Sequence, residues 1–265
     1  MSVKLFGILS KILSVVVWLS SGLFGLYILT FYALALTNGN SDQWNKVLPG
    51  LYDSSTPQAT QGIGLHFAAG GLILILGSLQ FIKSIRKSYP QVHRWVGRLY
   101  IFASVFASIG GLIFIIQKGT IGGWLMDVGF AGYGVLMFVC AIQTVRFARA
   151  KDFVNHRAWA LRLYALAIGS WLYRMEYGFW HAATGLVGHT DTFSGPFDYF
   201  MDFFFYLPNL LVAEFFIRKK VFVTKSYLAA IGSFLMLAMI GFIGLATQVF
   251  WKHYWSEPIL KWLGI

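Results

Sequence analysis

The chain has 265 residues, of which 57% are apolar, 18% aromatic and only 12% charged, and no water-soluble core of this size hides so much apolar surface. Its solvent is therefore a lipid bilayer. A net charge of +11 would point to nucleic acid in a soluble protein, but here the basic residues cluster at the ends of apolar runs, so a membrane surface accounts for them and no nucleic-acid partner is read.

About 20 apolar residues in helical form cross a hydrocarbon layer roughly 30 Å thick. Seven runs reach that length: Ile12–Leu36, Gly62–Ile82, Trp95–Gln117, Gly123–Val145, Trp159–Trp180, Phe200–Ile217 and Ser226–Trp251. Helix is favoured because backbone groups in lipid must be satisfied within the segment, and the alternation of a barrel strand is missing. The first run follows Lys4 and Lys11 as in a signal peptide, and Ala33-Leu34-Ala35 resembles a cleavage site. The run is nevertheless far longer than the roughly 7 to 15 residues of a signal core, so an uncleaved first helix is expected. The sequence thus predicts an all-α integral membrane protein: residues 1–61 form the first helix and an outer loop, 62–218 a core of helices two to six, and 219–265 the seventh helix and an outer tail.

With the N-terminus taken as cytoplasmic, only Lys46, Lys118, Lys252 and Lys261 of the 21 basic residues fall on the outer side, and Arg162 and Arg174 lie within the fifth run. The other fifteen are inside or at the inner boundary, which predicts a cytoplasmic N-terminus and a periplasmic C-terminus. The single cysteine, Cys140, lies deep in the fourth run, so it forms no intramolecular disulfide and is read as a packing residue.

The stretch VHRWVGRLYIF, Val92 to Phe102, returns 63 positions later as NHRAWALRLYAL, Asn155 to Leu166. The same shift lays Gln80 on Gln143, Lys83 on Arg146 and Arg86 on Arg149, and one inserted residue brings Arg98-Leu99-Tyr100 onto Arg162-Leu163-Tyr164. Helices two to five therefore read as a hairpin written twice, a parallel repeat that puts both His-Arg pairs at one depth. The expectation is a four-helix core with these pairs facing each other across its inner mouth and helices one, six and seven outside.

Three roles compete for the repeated residues. Interfacial anchoring explains Trp95, Trp159 and the arginines, with Asn155 or the histidines capping exposed amides. Haem b ligation explains a repeated histidine: His93 and His156 would hold the iron from opposite faces, with Arg94, Arg98, Arg157 or Arg162 near the propionates, in a membrane electron carrier. Binding of an anionic lipid or a quinone at the inner interface is the third.

His66 lies in the outer part of helix two, on a face with Gly62, Ala69, Gly70, Ile73 and Gly77. That face could seat a planar macrocycle, although small residues equally let two helices approach closely. A histidine at membrane depth needs a partner. His181 at the outer end of helix five is the histidine at a comparable depth, with Met126 and Tyr177 as nearby alternatives, and a His66–His181 pair would make a second, outer haem site. His189 with Asp191 is a weak metal motif, and His253 resembles an interfacial tail residue. Arg174 also needs a partner: Asp127 first, then Asp202, with a haem propionate as the sharper reading, while Glu176 points away from it. Pro208 should bend helix six near Pro208-Asn209, with Asn209 or a neighbour satisfying the freed carbonyl, and Glu214 sits where Arg218-Lys219-Lys220 neutralise it.

The segments HFAAGGLILILGSLQF, YPQVHRWVGRLY, NHRAWALRLYALA and YLPNLLVAEFFIRK resemble a family of bacterial predicted membrane proteins, domain of unknown function 2306, over Gly62 to Arg218. Its most specific elements are His93-Arg94, His156-Arg157, His66 and the stretch from Pro208-Asn209 to Glu214. The resemblance implies a multi-pass protein of the inner membrane and carries no catalytic residue. Gly-x-Ser-x-Gly, His-Glu-x-x-His and phosphate-loop motifs are absent, and the centres of most runs lack ionisable groups, so hydrolysis and ion-coupled transport rank below electron transfer, with an accessory role also open.

Overall fold

The computed structural model describes residues 3–218 and 226–265. The helices, in chain order, are α1 (Val3–Thr37), α2 (Pro57–Leu76), α3 (Lys83–Ser88), α4 (Pro90–Lys118), α5 (Gly123–Arg149), α6 (Phe153–Ala167), α7 (Gly169–Thr184), α8 (Pro196–Phe204), α9 (Leu207–Arg218), α10 (Ser226–Phe250) and α11 (Ser256–Leu263). No strand occurs among the described residues. Among them, six helical stretches are long and apolar enough to cross a membrane: Lys4–Thr37, Pro57–Phe81, Pro90–Lys118, Gly123–Arg149, Pro196–Arg218 and Leu228–Leu263. Lys219, Lys220 and Lys225 of the expected basic cluster lie outside the described residues.

Six rather than seven are found because the expected fifth run, Trp159–Trp180, divides at Ile168 into α6 and α7, of 15 and 16 residues. Tertiary contacts account for the division. The Tyr133 hydroxyl donates to the Leu166 carbonyl at 3.0 Å, and the backbone of Phe205 lies so close to Gly169 that a Cβ there would stand 3.1 Å from its carbonyl oxygen. The opposing stretch Pro196–Arg218 breaks as well, at Phe205–Tyr206, so the two interruptions meet. This break falls before the expected Pro208-Asn209, since Pro208 is accommodated in the first turn of α9, where it has no amide bond to lose. Asn209 donates to the Phe205 carbonyl at 2.8 Å and closes the gap.

Neighbouring long helices pack antiparallel: α1 on α2, α2 on α4, α4 on α5 and α5 on α6. Gly62 on α2 meets Gly110 on α4, where a Cβ on Gly62 would be 2.8 Å from the Gly110 carbonyl oxygen. The small-residue face of α2 is thus a helix-packing seam, as van der Waals association in lipid favours. Outside this arrangement, α10 packs on α1, α9 on α6 and α8 on α5. The expected outer tail is helical and continues the stretch Leu228–Leu263 along α1, burying Trp255 beside Phe24 and Phe250.

The helix order gives the protein two ends. The basic end carries α3, the start of α4, the turn between α5 and α6, and the end of α9. The far end carries the first loop, the α4–α5 turn and the α7–α8 loop. The first loop is folded against the helices: Trp44 is buried and donates to the Tyr32 carbonyl at 3.3 Å, and Asn45 holds Tyr52 through two bonds of 2.9 and 2.8 Å.

Candidate functional site

Both His-Arg pairs reach the basic end, at the N-termini of α4 and α6. Each copy stacks its deeper arginine on its tryptophan: Arg98 lies 4.8 Å from the Trp95 ring centre and Arg162 lies 4.5 Å from that of Trp159. Trp95, Arg94, Arg98 and Arg157 are exposed, the disposition of interfacial anchors. Arg162 is also bound to Glu214, which pairs with Arg218 at 3.0 Å. The neutralising partners of Glu214 therefore include Arg162 of α6, which the basic cluster did not suggest.

The two histidines, electrostatic neighbours of each other, are half-buried and differ in their bonding. His156 Nδ1 donates to the Thr144 carbonyl at 2.9 Å, which fixes its tautomer and leaves Nε2 as an acceptor. His93 Nδ1 is buried without a partner among the described residues. The helix cap expected from Asn155 or a histidine comes instead from Asp152, which accepts from the Asn155 amide at 3.1 Å and side chain at 2.6 Å. Those bonds, the side-chain one foremost, hold the Asp152 carboxyl below its ordinary range.

The far end holds a cavity of about 460 Å³ enclosed by α2, α4, α5, α7 and the first loop. Its volume lies in the range of small-molecule sites. His66 is in its wall, placed there by the seam just described: Gly111 offers no side chain, and a Cβ on it would stand 3.0 Å from His66 Nδ1. With that clearance Nδ1 donates to the Ala107 carbonyl at 2.8 Å, so Nε2 remains an acceptor. Arg174, Lys118, Tyr133, Tyr173 and the hydroxyl residues Ser108, Thr120 and Ser170 are its other polar lining, and Ile63, Phe67, Leu112 and Phe130 represent the apolar part. Lys118 is satisfied at 2.8 Å by Asp53 in the first loop, whose carboxyl is held well below its ordinary range by Lys118 and then by Ser55.

The anticipated partners of these groups are placed otherwise. His181 is exposed on α7 and does not line the cavity, whereas Met126 does. Asp127 accepts from the Thr120 amide at 2.6 Å, so it closes the α4–α5 turn and does not pair with Arg174. Asp202 is fully buried with neither oxygen bonded among the described residues. His189 pairs at 2.6 Å with Asp198, not Asp191, and Asp198 also accepts from Tyr177 at 2.7 Å and from the amides of Thr190 and Gly195. Tyr173, in the cavity wall, donates to the Tyr177 hydroxyl at 3.3 Å, joining this buried cluster to the cavity. Among the described residues no group of three or more His, Cys, Asp or Glu side chains is placed to hold a metal ion. Sequence reasoning missed Lys118, Tyr133 and the loop segment Leu48–Leu51 in this wall; its nearest signal was the depth of His66 together with Met126.

Fold and site define a polytopic α-helical membrane protein with a cavity at one end of its bundle. The chain belongs to the family described as predicted membrane protein, domain of unknown function 2306, whose profile matches residues 63–217. No curated protein and no solved structure matches the chain.

Proposed function

We propose that the protein binds a lipid-soluble small molecule with an oxygen-bearing head in the far-end cavity. The observation that carries this reading is the placement of His66, fixed by the Ala107 carbonyl, and Arg174 in the wall of one largely apolar chamber. An isoprenoid quinone and an acid-headed lipid both fit that description. Anionic-lipid or quinone binding was expected at the inner mouth; the cavity moves it to the opposite end. The test is to extract the purified protein with solvent and identify what accompanies it. A lipid-soluble species near one per chain is expected, and Ser108→Phe, which fills the cavity from α4, should abolish it. No such species, together with no uptake of added short-tail quinone or fatty acid, would refute the reading.

A haem b between His93 and His156 is a second reading, favoured by the arrival of both histidines at the basic end and by the bond that presents His156 Nε2. His93 lacks the corresponding second bond, and neither histidine lines the cavity, so it ranks lower. For the outer haem, His181 lies outside the cavity wall, and of its alternatives Met126 lines that wall with His66. Protein made in haem-sufficient cells would show a Soret band lost in His93→Ala and His156→Ala; colourless protein removes this reading.

The same proposal has seven crossings of an inner membrane, the pair α6–α7 making the one that is too short in either half. It also takes α2–α4 and α5–α6 as two copies of one hairpin, supported by the matched Trp-Arg stacks and by Tyr100 and Tyr164, which both close on Gly77. The basic end then faces the cytoplasm, and reporters at Lys151 and at the C-terminus should read cytoplasmic and periplasmic respectively.

A further inference from the structure

We infer that the molecule held in the far-end cavity carries an ionised oxyacid head on an apolar tail, and that Arg174 binds that head. The inference rests on the binding role proposed above and concerns what is bound. Arg174 is half-buried on α7 and lines the cavity, yet among the described residues no carboxylate lies within ion-pairing distance of it. Three acids near the far end are committed to other partners. Asp53 is held by Lys118, Asp127 by the Thr120 amide, and Asp198 by His189 and Tyr177. Glu176 is two residues along the same helix and points elsewhere, and Asp202 bonds to nothing among the described residues.

The closest aromatic contact of Arg174 is the Tyr173 ring, 6.0 Å away, which supplies little compensation. Lys118 and Asp53 cancel, and His66 Nδ1 is taken up by the Ala107 carbonyl, so Arg174 is the cavity-lining guanidinium with no carboxylate partner among the described residues. A cation at membrane depth is costly until an anion joins it, and a guanidinium fork matches the two oxygens of a carboxylate or phosphate. The apolar wall represented by Ile63, Leu112 and Phe130 takes the tail. His66 refines the head further, because its Nε2 only accepts: a phosphate monoester bearing one hydroxyl satisfies Arg174 and His66 together, whereas a carboxylate satisfies Arg174 alone.

The test uses the full chain in nanodiscs of zwitterionic lipid and three probes with one tail: tetradecanoate, tetradecyl phosphate and tetradecanol. Both acids should bind at least about tenfold more tightly than the alcohol. Arg174→Gln should abolish the preference of both acids over the alcohol, with its thermal unfolding transition showing the variant to be folded, and Arg174→Lys should restore part of the difference. His66→Ala should weaken the phosphate alone; equal weakening of both acids removes the role given to His66. If the alcohol binds as tightly as the acids, or Arg174→Gln weakens all three alike, the acid-head inference fails and cavity binding stands. If none of the three binds the unaltered protein, cavity binding fails and this inference with it.

Discussion

The two ends of the bundle use the same residue types for different purposes. At the basic end, histidine, arginine and tryptophan occur twice, and most of their contacts are with each other or outward: Trp95 with Arg98, Trp159 with Arg162, and Arg162 with Glu214. At the far end, His66 and Arg174 occur once each and turn into a cavity of about 460 Å³. The contrast teaches that a motif repeated in the sequence can belong to the scaffold, its members occupied with one another. In the proposed reading the residues that serve a ligand have no such counterpart: the position 63 residues after His66 is Gly129, which packs against Asp202.

Substitutions that remove one polar anchor from each end sharpen the comparison. Asp198→Ala deprives His189, Tyr177 and two amides of a fully buried acceptor and should have the largest effect, about 3–5 kcal/mol in thermal or chemical unfolding. The corresponding change at the basic end, Asp152→Ala, removes only an exposed helix cap and should cost far less. Equal losses would end the distinction between a buried far end and an exposed basic end. Next in size, Glu214→Gln weakens pairs that are partly exposed, so about 1 kcal/mol is expected, with no change in ligand binding.

These contrasts also mark what the sequence disclosed. Length and hydropathy located every long helix because lipid imposes both, and the shift of 63 placed His93 and His156 at one end. The division at Ile168 was hidden, since it depends on a tyrosine 33 residues earlier in the chain bonding to the Leu166 carbonyl. His66 was conspicuous by its depth, but the chamber beside it depends on Gly110 and Gly111 letting α2 and α4 close, and on Trp44 and Asn45 folding the first loop over the end. The acids expected beside Arg174 were reasonable by depth alone. Asp127 was lost to a turn amide, a competition that spacing along a helix does not reveal.

The smallest predicted effect concerns pH and the loop that closes the cavity. Asp53 has its folded carboxyl held below the ordinary value of 3.8, so its contribution is present above that value and is lost as acidity rises through the lowered one. Proteolysis within the first loop should therefore quicken below about pH 4 and not between pH 5 and 8. Lys118→Met should quicken it across the whole range, and unchanged cleavage in that variant would detach the ion pair from loop closure.

The central claim is that the bound molecule sits at the far end and not beside the repeated histidines. A fatty acid bearing a photoactivatable diazirine on its tail, bound to the unaltered protein in nanodiscs and mapped by peptide mass spectrometry, tests it most directly. The label should fall on α2, α4, α5 and α7 around Ile63, Leu112, Phe130 and Tyr173, and excess unlabelled tetradecanoate should compete it away. Saturable labelling confined to Val92–Phe102 and Asn155–Leu166 would contradict the account and return the function to the basic end.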